Sequence, residues 1–175
     1  MNINVKDIFD FYETRIACHV KSVNYFAKIL GYEFPNHDSY KVNEPIRTGY
    51  AYLFYKKYHD DFNLTDEYYK LCQDVQKMHH EHVPHHLQYY KNAKDVPDIR
   101  IYEMVSDWAS ASFEQRKIMS DSDCPKLIDW FNQNRAQNNW SEHQLEIIYK
   151  AFETIANNTD ENAVRQIWVP LVEKI

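Results

Sequence analysis

At 175 residues with 44% apolar side chains, the chain is long enough to bury a core of its own without disulfides, so one domain is expected. A formal net charge of −6 gives no electrostatic reason to bind a nucleic-acid backbone, and two glycines, Gly31 and Gly49, argue against a phosphate-cradling loop of the P-loop or dinucleotide-binding kind. Cys18, Cys72 and Cys124 are odd in number, widely spaced and outside any CxxC pair, which argues against a disulfide framework or a thiolate zinc site and fits reduced thiols in a cytoplasmic protein.

Apolar residues recur at helical spacing along nearly the whole chain. Ile8, Phe11, Tyr12, Ile16, Val20, Val23, Phe26, Ala27 and Leu30 trace the stripe of a long first helix that closes at Gly31, and His19 lies beside its inner face. The stretch YEFPNHDSYKVNEP has no helical stripe and reads as a loop or short turn carrying His37 and Asp38. IRTGYAYLFYKKY predicts a second helix, and NLTDEYYKLCQDVQKMHHEH a third, capped by Asn63 or Thr65 and ended by Pro84. His79 then closes one helix while His85 and His86 open the next. DIRIYEMVSDWASASFEQ follows as a helix, with Ile101, Met104, Val105 and Trp108 inward. Three closing helices are read in CPKLIDWFNQNRAQ, SEHQLEIIYKAFETIA and DENAVRQIWVPLVEKI, with Ser141 as a cap and Pro170 disturbing the last. No strand candidate alternates convincingly, so the expected fold is all-α. It is read as one compact helical domain over 1–175, with a metal-site core in 1–120 and closing helices in 121–175. No window approaches about 18 consecutive apolar residues and no basic-then-apolar leader opens the chain, so neither a membrane span nor export is expected.

The stretch KMHHEHVPHH gathers five of the nine histidines. In chain order the candidate metal ligands are His19, His37, Asp38, His79, His85, His86 and Asp107. A His-Asp doublet can place its imidazole on one ion while the carboxylate, with two oxygens to share, reaches a second. His80 and His82 fall on other faces of the third helix and are read as surface residues, as are His59 and His143. From the residues alone, His19 reads better as a hydrogen-bonded histidine at the edge of the core than as a ligand. Asp107, between an apolar turn and Trp108, needs a cation or donors to offset its desolvation. Without thiolate in the set, manganese, iron, zinc, cobalt and magnesium all suit one or two divalent sites.

The order H…HD…H…HH…D on successive helices resembles the HD-domain superfamily of metal-dependent phosphohydrolases, particularly its binuclear branch. More narrowly, HDSYK, H…VPHHLQYY, YEMVSDW and WFNQN are similar to motifs of an uncharacterised family of small bacterial and phage HD-like proteins with the pattern HDxSK, H…NPHHxxYW and EMxxDW; Val83 and Tyr40 depart from it. The resemblance implies ligands around a central cavity. His19 takes the first-helix position, His37 and Asp38 the doublet, His79, His85 and His86 the intermediate positions, and Asp107 the closing aspartate. The expected activity is hydrolysis of a small phosphorylated molecule, most simply a nucleotide. Asp38 and Lys41 would act at the reacting centre, Lys41 and Arg47 would neutralise phosphate oxygens, and Tyr89 would stack on a base. Two alternatives use the same ligands: an HD-type di-iron oxygenase, and a non-enzymatic interaction module whose metal serves folding alone.

Overall fold

A computed structural model describes residues 4–175. Among them the chain forms seven α-helices and no strand. They are α1 (Val5–Ile29), α2 (Ile46–Tyr58), α3 (Asp66–His82), α4 (Asp98–Phe113), α5 (Leu127–Asn134), α6 (Glu142–Asn158) and α7 (Glu161–Val172). The ends follow local chemistry. Asn4, Thr65, Ser141 and Asp160 each turn a side-chain oxygen onto a free N–H of the following helix, and Ser141 forms a reciprocal capping box with Gln144. At the end of α1, Gly31 takes φ +84°, which lets Tyr32 N–H reach the Ala27 carbonyl and Gly31 N–H the Lys28 carbonyl.

Three expectations shift. Pro84 ends α3, but His85 and His86 open no helix. Val83 and His86 are extended, and only a 3-10 turn, Leu87–Tyr89, follows, so the histidine pair sits on a bend that folds back towards α3. Pro170 does not break α7, which continues through it to Val172 within its last turn. The fourth helix does not stop at its predicted end: α4 widens into a π-helical turn, Glu114–Ile118.

Two apolar clusters share α1. One gathers Phe11 and Phe26 of α1 with Ile101, Met104, Phe131, Ile148, Phe152, Trp168 and Leu171. It draws on the chain from Phe11 to Leu171, so the closing helices complete the core of the first 120 residues. Burying a side chain such as Phe131, Ile101 or Met104 contributes about 1.5–3 kcal/mol each. The other cluster joins Ile8 and Tyr12 of α1 to Ile46, Tyr50 and Ala51 of α2 and Cys72 and Val75 of α3. Cys18, Cys72 and Cys124 are all free thiols. No helix among the described residues is long and apolar enough to cross a membrane.

Candidate metal centre

Where α1 meets α3 and α4, the packing turns polar. His19 projects from the middle of α1 and Asp107 from α4, while His79 stands in the last turn of α3. His37 and Asp38 come from the turn after α1, and His85 and His86 from the bend after α3. The structure brings all seven expected ligands together. Two sets face each other: His19, His37 and Asp107 offer atoms within 4.8 Å of one another, and so do His79, His85 and His86.

Asp38 lies between them. Its Oδ2 is 3.5 Å from His19 Nε2 and 3.7 Å from His37 Nε2, whereas Oδ1 is 3.4 Å from both His79 Nε2 and His85 Nε2. Asp107 Oδ1 closes the first set at 3.1 Å from His19 Nε2 and 3.7 Å from His37 Nε2. In the second set the Nε2 atoms of His79 and His86 approach to 2.8 Å. Asp38 reaches its place through a left-handed backbone, φ 58° and ψ 10°, a conformation a non-glycine residue adopts only when its surroundings require it.

The donor set fits divalent cations by its own chemistry. His37 Nε2, Asp38 Oδ1, His79 Nδ1 and His85 Nε2 are buried polar atoms without a hydrogen-bond partner, and three of the four belong to the atoms that converge on the two sets. Buried nitrogens and oxygens without partners are costly, and a cation shared among them removes that cost. All the donors are nitrogen or carboxylate oxygen, which suits manganese, iron, zinc or cobalt and leaves magnesium, which prefers oxygen, the poorest match.

The protons of the centre are unevenly shared. Burial pushes the His79 imidazole down to about 4, and burial together with His85 pushes His86 lower still. His37 is equally buried, yet Asp38, Asp107 and Glu103 hold its imidazolium up at about 10, and Asp38 and Glu103 raise His85 in the same way. Against burial, Lys41 and His37 hold Asp38 well below the usual carboxylate range, and the His19 and His37 imidazoles beside Asp107 do the same for it.

A second layer holds the ligands in place. Glu103 Oε1 accepts a hydrogen bond from His37 Nδ1 at 3.0 Å, Ser110 Oγ meets His19 Nδ1 at 3.2 Å, and Lys41 Nζ donates to Asp38 Oδ2 at 2.7 Å. Behind them Arg15 and Glu114 form a buried two-bond ion pair, with Tyr58 donating its hydroxyl to the same carboxylate. Glu103, Asp107 and Ser110 on α4 and Glu114 at the start of its π-helical turn lie three or four residues apart, and Arg15 and His19 four apart on α1, so the polar seam runs along one face of each helix. The sequence reading passed over Glu103, Ser110, Arg15 and Glu114; the α4 spacing from Asp107 was the available signal.

Of the expected substrate contacts, Lys41 lies at the centre and the other two do not. Arg47, in the first turn of α2, pairs with Glu13 and Glu44 and rests over the Phe9 ring, because carboxylates on α1 and in its own turn lie nearer than the cluster. Tyr89 is 49% exposed and meets only the Tyr90 ring edge-on. Tyr102 stacks on Tyr32, and Tyr90 donates its hydroxyl to the Pro84 carbonyl. Of the two histidines expected at the surface of α3, His82 is exposed, while His80 is half-buried with its ring 4.5 Å from that of His86. Burial first, then the charge of Lys41 and, less, that of Arg135 lower the His80 imidazole; Arg135 itself is half-buried over Trp130 and without an ion pair among the described residues.

No curated protein and no solved structure matches this chain. One family model does, over residues 9–164, a span that contains every candidate ligand of the centre. The chain belongs to this family, described as a family of unknown function (DUF5662).

Proposed function

We propose that the chain is a metal-dependent phosphohydrolase of the HD type, acting on a small phosphorylated molecule, with a nucleotide as the expected substrate. The observation that carries this reading is the division of Asp38, one carboxylate oxygen turned to the His19 and His37 set and the other to the His79 and His85 set. A buried carboxylate placed in this way is suited to bridge two ions. The chain order of His19, His37 and Asp38, His79, His85 and His86, and Asp107 supports the HD reading.

Two divalent ions held here would supply an acidified water and a polarised phosphoryl oxygen, the chemistry that phosphate hydrolysis needs. The residues around them set the rest. Lys41 carries its charge to Asp38 Oδ2 and stands 4.8 Å above the Tyr50 ring, placed to neutralise phosphoryl oxygens next to the bridge. The Asp107 side chain is 15% exposed where that of Asp38 is fully enclosed, so a substrate approaches from the Asp107 side. His80 flanks His86, and the guanidinium of Arg135, near enough to His80 to act on its charge, favours an anion on this side of the centre. Burial first, then the Asp38 charge, keeps the Tyr50 phenol protonated, so beside His79 it can donate a proton or hydrogen bond but not act as a base.

The test is elemental analysis of the purified protein beside an Asp38→Ala variant, followed by phosphate release from p-nitrophenyl phosphate and nucleoside monophosphates with manganese or cobalt, in air and under argon. The expected result is about two ions per chain, lost in the variant, and phosphate release that does not need oxygen. Oxygen consumption by an iron-loaded protein without phosphate release would replace this reading with the di-iron oxygenase. Tightly held metal, unfolding on its removal and no turnover of any kind would replace it with the metal-stabilised interaction module.

A further inference from the structure

The geometry points to Glu103 as a positioning residue that ties the two halves of the centre together, so that the two ions are taken up as a pair. This rests on the reading that the seven ligands hold two ions, and it adds how they load.

Glu103 Oε1 accepts from His37 Nδ1 at 3.0 Å and stands 3.4 Å from His85 Nδ1. His37 belongs to the set of His19 and Asp107 and His85 to the set of His79 and His86, and the two also meet Asp38 in a third set where the halves join. The two rings lie side by side, centroids 4.2 Å apart, and each turns an unpartnered Nε2 inward. An imidazole whose Nδ1–H is given to a carboxylate presents the Nε2 lone pair to a metal, and its ring is fixed in orientation. Here one oxygen does this for His37 and stands within ion-pair distance of His85 Nδ1, so a single carboxylate faces a ligand of each half. The orientation and tautomer of His37 are therefore not independent of those of His85.

The other oxygen, Oε2, is held by Arg100, whose side chain is part-exposed at the wall of a cavity of about 360 Å³ lined also by Asn36, Tyr40, Val83 and Pro84. Filling one half fixes His37, His37 fixes Glu103, and Glu103 then presents His85 in its ligating orientation. Asp38, which gives one oxygen to each half, reinforces the same dependence. Ser110 provides the contrast. Its hydroxyl meets His19 Nδ1 alone, a ligand of one half.

Titration of the metal-stripped full chain with cobalt(II), followed by native mass spectrometry, separates chains holding no ion, one ion and two. In the wild type the two-ion species should grow directly from the metal-stripped one, with a one-ion species never dominant. Glu103→Gln keeps an acceptor oxygen but loses the charge and the Arg100 pair; it should weaken uptake of both ions together by about 10–100-fold. Arg100→Gln leaves the buried residues in place, and should shift both ions in the same direction by a smaller factor. Ser110→Ala should instead let a one-ion species accumulate. A dominant one-ion wild type, or a Glu103→Gln chain that loses one ion and keeps the other, would overturn the coupling while leaving the two-ion centre standing. A wild type that takes up no cobalt would overturn both.

Discussion

Asp38 and Glu114 are both buried carboxylates, yet they serve opposite ends. Asp38 faces four imidazole nitrogens and Lys41, an arrangement that could hold cations, whereas Glu114 is already satisfied by Arg15 and Tyr58. Removing the charge from Glu114 strands a fully enclosed guanidinium. Glu114→Gln should therefore lower the unfolding free energy by about 3–5 kcal/mol, read from urea midpoints, and Tyr58→Phe by about 1 kcal/mol. Equal midpoints for Glu114→Gln and wild type would mean that Arg15 finds water in the folded chain. These residues also mark how far the centre could be read in advance. The convergence of these seven side chains was legible because histidines and aspartates in a fixed order leave a pattern in one dimension. Glu103 and Glu114 left only their helical spacing from Asp107, and spacing alone does not decide, since a glutamate on a helix has the same spacing whether it faces solvent or a buried arginine. Arg47 and Tyr89 were misplaced for the same reason: the chain shows that a cation and an aromatic lie near the ligands in sequence, not which way each side chain points.

Among the elements, α2 and α3 bear most directly on the centre, because their packing sets the position of His79. Gly49 of α2 lies against Val75 of α3, and a Cβ at Gly49 would overlap the Val75 side chain. Val75 stands one helical turn before His79 on the same face, and both are fully enclosed. Gly49→Ala should thus cost about 1–3 kcal/mol through overpacking, even though alanine is the better helix former. It should also reduce metal content in the His79 set, measured by elemental analysis of the variant. A variant with full metal content and wild-type stability would mean that α3 slides without moving His79. The helices themselves were largely readable: α2 occupies its predicted residues, and Thr65 and Ser141 cap where their chemistry places them. The bend at His85 and His86 was not readable, because Pro84 announces the end of α3 but not that the chain stays extended afterwards. The π-helical turn after α4 gives no compositional sign at all.

Over the whole molecule, the centre joins segments from α1, the turn after it, α3, the bend after α3 and α4, so its protonation is linked to the stability of the entire fold. His79 and His86 have lowered pKa values, so as pH falls below about 6.5 the unfolded chain takes up protons that the folded chain refuses, and stability is lost on the acid side. For His79, which falls to about 4, that loss amounts to about 3 kcal/mol once pH has passed through the window. His37 and His85 are raised, so their contribution is fully present below about 6.5 and is lost as pH climbs, towards about 10 for His37. The metal-stripped protein should therefore be most stable near pH 6.5 and decline on both sides. Bound cations would replace the protons of His37 and His85 as partners for Asp38, Asp107 and Glu103, which removes the alkaline decline and leaves only the acid one. Urea unfolding of chelator-treated and zinc-reloaded protein, from about pH 5 to about pH 10, tests this directly. A metal-stripped chain whose midpoint stays flat above neutrality would show that His37 carries no proton there, and that the carboxylates around it are balanced by Lys41 and Arg100 alone.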